Sequence, residues 1–449
     1  MQKKLITIAV AGALAAPVLA QAQQASGTEV FGTINMAFGQ FRYTEGTSSQ
    51  FANNSGPIPA GVAGGAGPQA SVSKWDVANG ASNYGIRSRE SLGGGLAAWI
   101  QIEQNAPLER SNDASWGPAS RNSAIGMQGG FGNVFVGQWT SPWADLDALW
   151  SIGTVGFWGP VTAIIGRRET TGVAPNPNCA NNGHGVGGAC NAVESGGGLG
   201  HPFWRRPSNA IFYQSPVMAG VQVKFAYQTN EGKATATASS NSDASMMSGS
   251  VQWAGMGGRA RIGLGVDRHK DFTSLGATDT GYAVKGGWNF GVVDLGFAVE
   301  RMTYKCRFGT LGFATATGAN TGACAGDGDV KVKNYAVALA VPVGPGSIRA
   351  SYAISKDIEG PLTNAANIGT SGVDNGTRIT DTGVKQYNIG YEHRFSKRTN
   401  IGIGYAKIDN KANAAMAWTG MPPNQQGNAN TTLYGSDVST FFISMTHRF

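Results

Sequence analysis

The chain is short of charge. Asp, Glu, Lys and Arg make up 14% of its 449 residues, against a usual ~25% for soluble domains. A soluble β protein of this size would need more charge than that to keep its outer face wet. Long apolar runs are missing too: after residue 22 nothing approaches the ~20 apolar residues of a membrane-spanning helix, which excludes a helical bundle in a bilayer. The five histidines (His184, His201, His269, His393, His447) are scattered, and no Ser-His-Asp set is visible. The glycine clusters lie between strand-like segments and not before a helix, so no phosphate loop fits. Asp327-Gly328-Asp329 lacks the rest of a calcium-loop pattern. The formal charge of +7 falls to about +5 once Lys3 and Lys4 leave with the signal described next. No basic run or aromatic-basic patch marks a nucleic-acid partner. Neither a cofactor, a metal nor a catalytic site is expected.

What is present begins with an export signal. Lys3 and Lys4 precede the apolar stretch Leu5 to Ala16, and Ala20-Gln21-Ala22 offers a small-x-small cleavage site. Residues 1–22 are therefore expected to be removed, leaving 23–449. Glycine is abundant, 67 of 449, about twice the ~7% average. The four cysteines form two close pairs, Cys179 with Cys190 and Cys306 with Cys324, each in a glycine-rich segment. Export places them in an oxidising compartment, so two local disulfides are expected, the shorter worth about 3 kcal/mol by loop closure.

Alternation with period two runs through the chain. In the last segment Phe441, Ile443, Met445 and Phe449 share one face, while Thr440, Ser444, Thr446 and Arg448 share the other. Val221 to Gln228, Arg259 to Asp267 and Tyr387 to Phe395 repeat the pattern. Elsewhere the polar face is only small, as at Asn334, Ala336, Ala338 and Ala340, which suits a lumen kept open. Connectors alternate between tight turns, such as Gly344-Pro345-Gly346 and Ser396-Lys397-Arg398-Thr399, and long Gly/Asn/Ser-rich stretches near 44–80, 106–120, 140–206, 231–246, 306–330, 356–382 and 410–436. Only a closed barrel satisfies every backbone group of a strand in lipid. The pattern thus predicts an all-β transmembrane antiparallel barrel of the outer membrane. It has about sixteen strands starting at Glu29 to Tyr43, with eighteen as the competing count. The longest connector, 140–206, opens Ser141-Pro142-Trp143 and carries Trp143, Trp150, Phe157, Trp158 and Trp204. So many aromatics predict a short helical turn and a loop folded into the lumen as a constriction.

Five blocks in order then resemble the general-diffusion porins of Gram-negative bacteria. They are Ser82-Asn83-Tyr84-Gly85-Ile86-Arg87 through Leu96, Arg121 to Met127 with Phe131 to Val134, Ser208 to Pro216, Lys385 to Tyr391 through Thr399, and His447-Arg448-Phe449. The resemblance implies a homotrimer of sixteen-stranded barrels in outer-membrane lipid and lipopolysaccharide, with the third loop folded inward. It further implies a terminal Phe449 read by the barrel-assembly machinery, and passive passage of ions and small hydrophilic solutes. The chain departs from the family at Asn35, Asn83 and Gln138, and at Gly156-Phe157-Trp158-Gly159 in the third loop.

By parity the inward cations include Arg87, Lys224, Arg259, Arg261, Lys285, Arg349 and Arg394, and the inward acids Glu103, Asp267, Glu300 and Glu392. The expected constriction sets Arg87, Lys224, Arg261, Lys285 and Arg349 on the wall against Asp145, Asp147 and Glu169 on the loop. Opposed charges across a pore bias which ions enter, and the expectation is a weak anion preference or near-neutrality. The alternatives are a substrate-specific channel using inward Trp99 and the loop aromatics, and a non-conducting anchor with display loops.

Overall fold

The computed structural model describes residues 26–47, 68–106, 108–109, 121–166, 203–229, 245–270, 277–306, 328–360, 381–412, 414–418 and 434–449. Residues 1–25 lie outside it, as do Glu169, Cys179, Cys190 and Cys324. Cys306 ends a strand without a described side chain, so the expected bridges fall outside the described residues.

Sixteen antiparallel strands form one closed sheet. They are β1 (Gly27–Tyr43), β2 (Val72–Asn79 continued as Asn83–Gly93), β3 (Leu96–Asn105), β4 (Ser123–Gly129), β5 (Gly132–Gln138), β6 (Ala210–Gln214), β7 (Val221–Gln228) and β8 (Ser245–Gly255). The second half comprises β9 (Ala260–Lys270), β10 (Thr278–Asn289), β11 (Asp294–Cys306), β12 (Gly328–Val343), β13 (Gly346–Ser355), β14 (Val384–Arg394), β15 (Thr399–Asn410) and β16 (Val438–Arg448). Each strand pairs with its neighbour in sequence. The ring shuts where β1 pairs with β16, from Thr33 opposite Arg448 to Tyr43 opposite Val438. Gly32 and Phe449 then exchange both backbone hydrogen bonds at 3.1 Å, so pairing reaches the last residue and neither end strand is left with an open edge.

Side chains sort by parity as the sequence predicts. On β16, Phe442 is 1% exposed and its neighbour Ile443 is 51% exposed. The same contrast recurs at Leu264, Val337 and Ile125, all exposed between buried neighbours. An apolar outer face of this extent meets lipid, where its exposure carries no hydrophobic cost. Tight turns at 94–95, 130–131, 344–345 and 395–398 gather at the end that holds both termini, and the long connectors gather at the other.

Two expectations change. The second strand begins at Val72, inside the expected 44–80 connector. β1 is seventeen residues long, and Val72–Asn79 pairs its upper half from Met36 to Tyr43. Without that segment a row of β1 backbone groups would be unpaired. β2 is broken at Gly80-Ala81-Ser82, where Ala81 has a left-handed φ of 59°. There the Ser82 hydroxyl donates to Asn35 O at 3.1 Å and accepts from Asn35 N at 2.9 Å, replacing the interrupted ladder. The second change concerns the small inward residues. Ala298, Ala336, Ala338, Ala353 and Ala406 are buried and pack with Trp150, Val155 and Trp158. They make room for a loop instead of for water.

Candidate functional site

The segment 140–166 enters the barrel and lies against its inner wall. Ser141 caps the short helix α1 (Pro142–Asp145), its hydroxyl accepting from Ala144 N at 3.2 Å, and Pro142 presets the first turn. This is the helical turn the Ser-Pro start predicts. Trp143 N donates to Ser248 Oγ on β8 at 3.1 Å. A 3-10 turn, Leu146–Leu149, then rests its leucines on Gly263 and Gly265 of β9. A Cβ at Gly263 would stand 2.5 Å from the Leu146 side chain, so a larger residue there would have to push the turn's leucines aside. The chain goes on past Gly296 of β11, Ala350 of β13 and Gly402 of β15. Trp158 meets Phe41 of β1 and Phe442 of β16, ring centres 5.3 and 4.8 Å away. It then turns back, and Ile164 and Gly166 lie over β12 and β11.

Buried polar groups fasten this path. Lys285 of β10 has no exposed surface. Its ammonium meets Asp147 at 2.7 Å and Glu300 of β11 at 2.9 Å. Asp147 also accepts from Trp150 Nε1 at 2.9 Å. Lys224 of β7 pairs with Asp145. Arg261 of β9 donates to Leu149 O and pairs with Asp294, both at 2.6 Å. Arg349 of β13 reaches Thr154 O at 3.2 Å and Glu392 at 2.9 Å. Amide side chains supply further anchors: Asn388 donates to Gly153 O at 2.9 Å and Asn334 to Ile164 O at 3.1 Å. Behind the loop, Asp267 is fully buried, 3.8 Å from His269, whose ring stacks on Phe203.

The structure thus brings Lys224, Lys285, Arg261 and Arg349 into contact with the loop, and Asp145 and Asp147 onto two of them. They are bound to one another, where the sequence reading set them across an open gap. The reason is that the loop lies on the wall that carries them. Arg87 stands apart, beside Glu29 and over the Phe31 ring near the turn end of β2. Asn334, Asn388 and Asp294 were not among the candidate constriction residues read from the sequence. The one available signal was a hydrogen-bonding side chain on the inward parity of its strand.

The described loop covers the wall from β7 through β16 to β2, leaving the inner face of β3–β6 opposite it. There Trp99, Phe135, Trp139 and Phe212 form a cluster with neighbouring ring centres 4.8 to 5.7 Å apart. Trp99 Nε1 donates to Asn133 at 2.8 Å. Beside them Arg121 pairs with Glu103 at 2.6 Å. Towards the turn end, Arg394 and Arg448 share the inward parity with Arg349. Among the described residues, no group of three or more His, Cys, Asp or Glu is placed to hold a metal ion.

Comparison with known proteins places this geometry. A family model described as Gram-negative porin matches residues 7–413. Outer membrane porin protein 32 of Delftia acidovorans is 25% identical over 332 residues, covering 74% of this chain and 75% of that protein. Major outer membrane protein P.IB of Neisseria gonorrhoeae is 35% identical over a 97-residue stretch, 21% of this chain and 26% of that one. Among solved structures, the anion-selective porin from Comamonas acidovorans superposes with a TM-score of 0.59 at 19% identity, covering 94% of this chain and all of that one. OmpT, an outer membrane protein of Vibrio cholerae in its trimer form, gives 0.53 at 13% identity over 95% and 100%.

Proposed function

This chain belongs to the Gram-negative porin family, and from that premise we propose how its outer-membrane channel admits solutes. The channel is water-filled and passes ions and small hydrophilic solutes. Its passage runs between the inward loop and the β3–β6 wall, with a weak preference for anions. One observation carries the preference: six acids of the inner wall and the loop are each held by a cation. Glu103 is held by Arg121, Glu300 by Lys285, Asp294 by Arg261 and Glu392 by Arg349, while Asp145 and Asp147 of the loop are held by Lys224 and Lys285. Arg394 and Arg448 are left over at the turn-end mouth, where they hold the local potential positive. Measured in a KCl gradient across a planar bilayer, Arg394→Glu with Arg448→Glu moves the zero-current potential from the anion side towards the cation side. An unchanged potential refutes the assignment.

Porins of this family are typically trimers passing small solutes. The homotrimer, insertion by the barrel-assembly machinery through Phe449, and a surround of outer-membrane lipid and lipopolysaccharide are part of the same proposal. So is the constriction built from Asp145 and Asp147 against Lys224, Lys285, Arg261 and Arg349. Family and fold are those of a channel, and we assign no enzymatic step. The inward Trp99 and Trp139 support a second reading, a substrate-specific channel in which a ring-shaped solute stacks on the indoles. Liposome swelling separates the two: size-graded entry of unrelated sugars supports general diffusion, and saturable uptake of one solute supports the specific channel.

A further inference from the structure

The inner wall opposite the loop is ordered in rows. Strand register sets Trp99 opposite Gly126, Gly126 opposite Phe135, and Phe135 opposite Phe212. One inward row across β3–β6 is therefore aromatic apart from its glycine. The next row towards the turn end sets Gln128 opposite Asn133, and Asn133 opposite Gln214. A diagonal step leads to Gln222 on β7, which lies opposite Gln252 on β8. Five carboxamides on five successive strands thus run beside the aromatic row. At ~4.8 Å between strands the run is on the order of 20 Å long.

Both rows keep surface free for a solute. The Trp99 indole lies across Gly126, where a Cβ would stand 2.8 Å from its benzo ring. Glycine there lets the indole rest against the wall. Trp99 and Trp139 stay half-buried, while Phe135 and Phe212 are buried beside them. Asn133 is taken by Trp99 Nε1. Gln222 donates to Ser215 O at 3.1 Å and accepts from Gln252 Nε2 at 2.8 Å. Gln128 and Gln214 are half-buried, and among the described residues their carboxamides have no hydrogen-bond partner. The row itself holds no ionisable group, and Lys224, which faces Gln214, is taken by Asp145.

That chemistry selects a ligand. A free carboxamide offers two N–H donors and a carbonyl acceptor, which matches hydroxyl groups, since each of those both donates and accepts. A carboxylate or phosphate would meet the amide oxygens and find no unpaired cation in the row. The face of an indole carries negative quadrupole potential and takes the C–H face of a ring. A saturated ring with hydroxyls on its edge and C–H groups on its faces satisfies both rows at once. An aromatic acid satisfies only the aromatic one.

We propose that the inner wall of β3–β8 holds a binding site for neutral pyranose sugars, with one ring stacked on Trp99 and its hydroxyls on Gln128 and Gln214. Further rings of a linear oligosaccharide follow the amides towards Gln252. The site rests on the passage along the β3–β6 wall and on the indoles as a stacking surface, both given above, and adds the class of solute they hold.

The test records purified protein in planar bilayers while maltohexaose is added, beside polyethylene glycol of the same mass and benzoate. The expected result is saturable interruption of the current by maltohexaose and by neither comparison solute. Trp99→Ala, and separately Gln128→Leu/Gln214→Leu, each raise the half-blocking concentration roughly tenfold, which is about 1.4 kcal/mol. Trp99→Phe, which keeps a ring, stays closer to the parent. Heat-modifiable mobility shows which variants are folded, and the parent's discrimination among the three solutes tests the proposal without them. Interruption by maltohexaose no stronger than by the polymer overturns it, as does an unchanged half-blocking concentration in both folded variants. Saturable block by benzoate alone overturns the sugar class and leaves a ring-stacking channel standing. A conducting parent that none of the three blocks refutes the site and leaves the channel standing, whereas a silent bilayer refutes both.

Discussion

Replacing Lys285 by methionine tests what holds the loop down. The substitution keeps the length of the side chain and removes its charge, leaving Asp147 and Glu300 as buried carboxylates without their shared cation. Removing one member of a buried ion pair costs about 3–5 kcal/mol, which lowers the ratio of seated to unseated loop by roughly 10²- to 10⁴-fold. The loop is not expected to leave the barrel. Trp143, Trp150 and Trp158 are fully buried, and at ~25 cal/mol per Å² over roughly 200 Å² each they hold it by about 15 kcal/mol as an upper bound. The expected result is local: the 145–150 turn lifts from β9–β10 while 153–164 stays seated. In planar bilayers Lys285→Met then shows noisier open channels and added larger substates, with less than a doubling of mean conductance. Lys224→Met, at a partly exposed pair worth about 1 kcal/mol or less, stays near the parent. The triple variant Lys285→Met/Asp147→Asn/Glu300→Gln, which leaves no unpaired buried charge, returns towards quiet channels. Lys285→Met channels indistinguishable from the parent in noise and substates would refute the reasoning.

Other positions carry their own expectations. Gly296→Val puts a side chain where the Trp150 backbone lies, with its Cβ 2.9 Å from that carbonyl carbon, so conductance rises while heat-modifiable mobility is unchanged. Phe449→Ala keeps the closing backbone pair with Gly32 but uncovers that glycine, and the fraction of heat-modifiable protein recovered from outer membranes falls. Beyond β13, Asp357 accepts from Gly383 N at 2.6 Å and Lys411 Nζ at 2.7 Å. Partial burial works to raise its pKa, but these bonds outweigh it and hold the carboxyl below its ordinary value. The tie is therefore present above about pH 4 and lost as pH falls through the lowered value. Amide exchange at Gly383, compared after intrinsic-rate correction, should be protected at pH 7 and released as the pH falls through that lowered value.

The fold was legible because a barrel strand announces itself twice, by period two and by the length of its connectors. Parity also gave direction: Lys285, Glu300, Arg349 and Glu392 all point inward as expected. It does not give height. Arg87 has the same inward parity as Lys285 yet meets Glu29 near the turn end, because stagger between strands decides which residues share a level. Lys285 reaches Glu300 because the β10–β11 register sets Ala283 opposite Glu300 and Lys285 opposite Ala298, a diagonal pair. That register is a property of the closed sheet and is not written in either strand alone. The same holds for Gly263, Gly265 and Gly296, which look like ordinary strand glycines until the loop is laid on them.

The central claim is a water-filled passage between the inward loop and the β3–β6 wall with a small excess of positive charge. It is tested most directly by recording purified parent protein in a planar bilayer under a tenfold KCl gradient. The account predicts discrete, roughly ohmic conductance steps and a zero-current potential slightly on the anion side of neutrality. A silent bilayer, or a potential close to the cation limit, would contradict it.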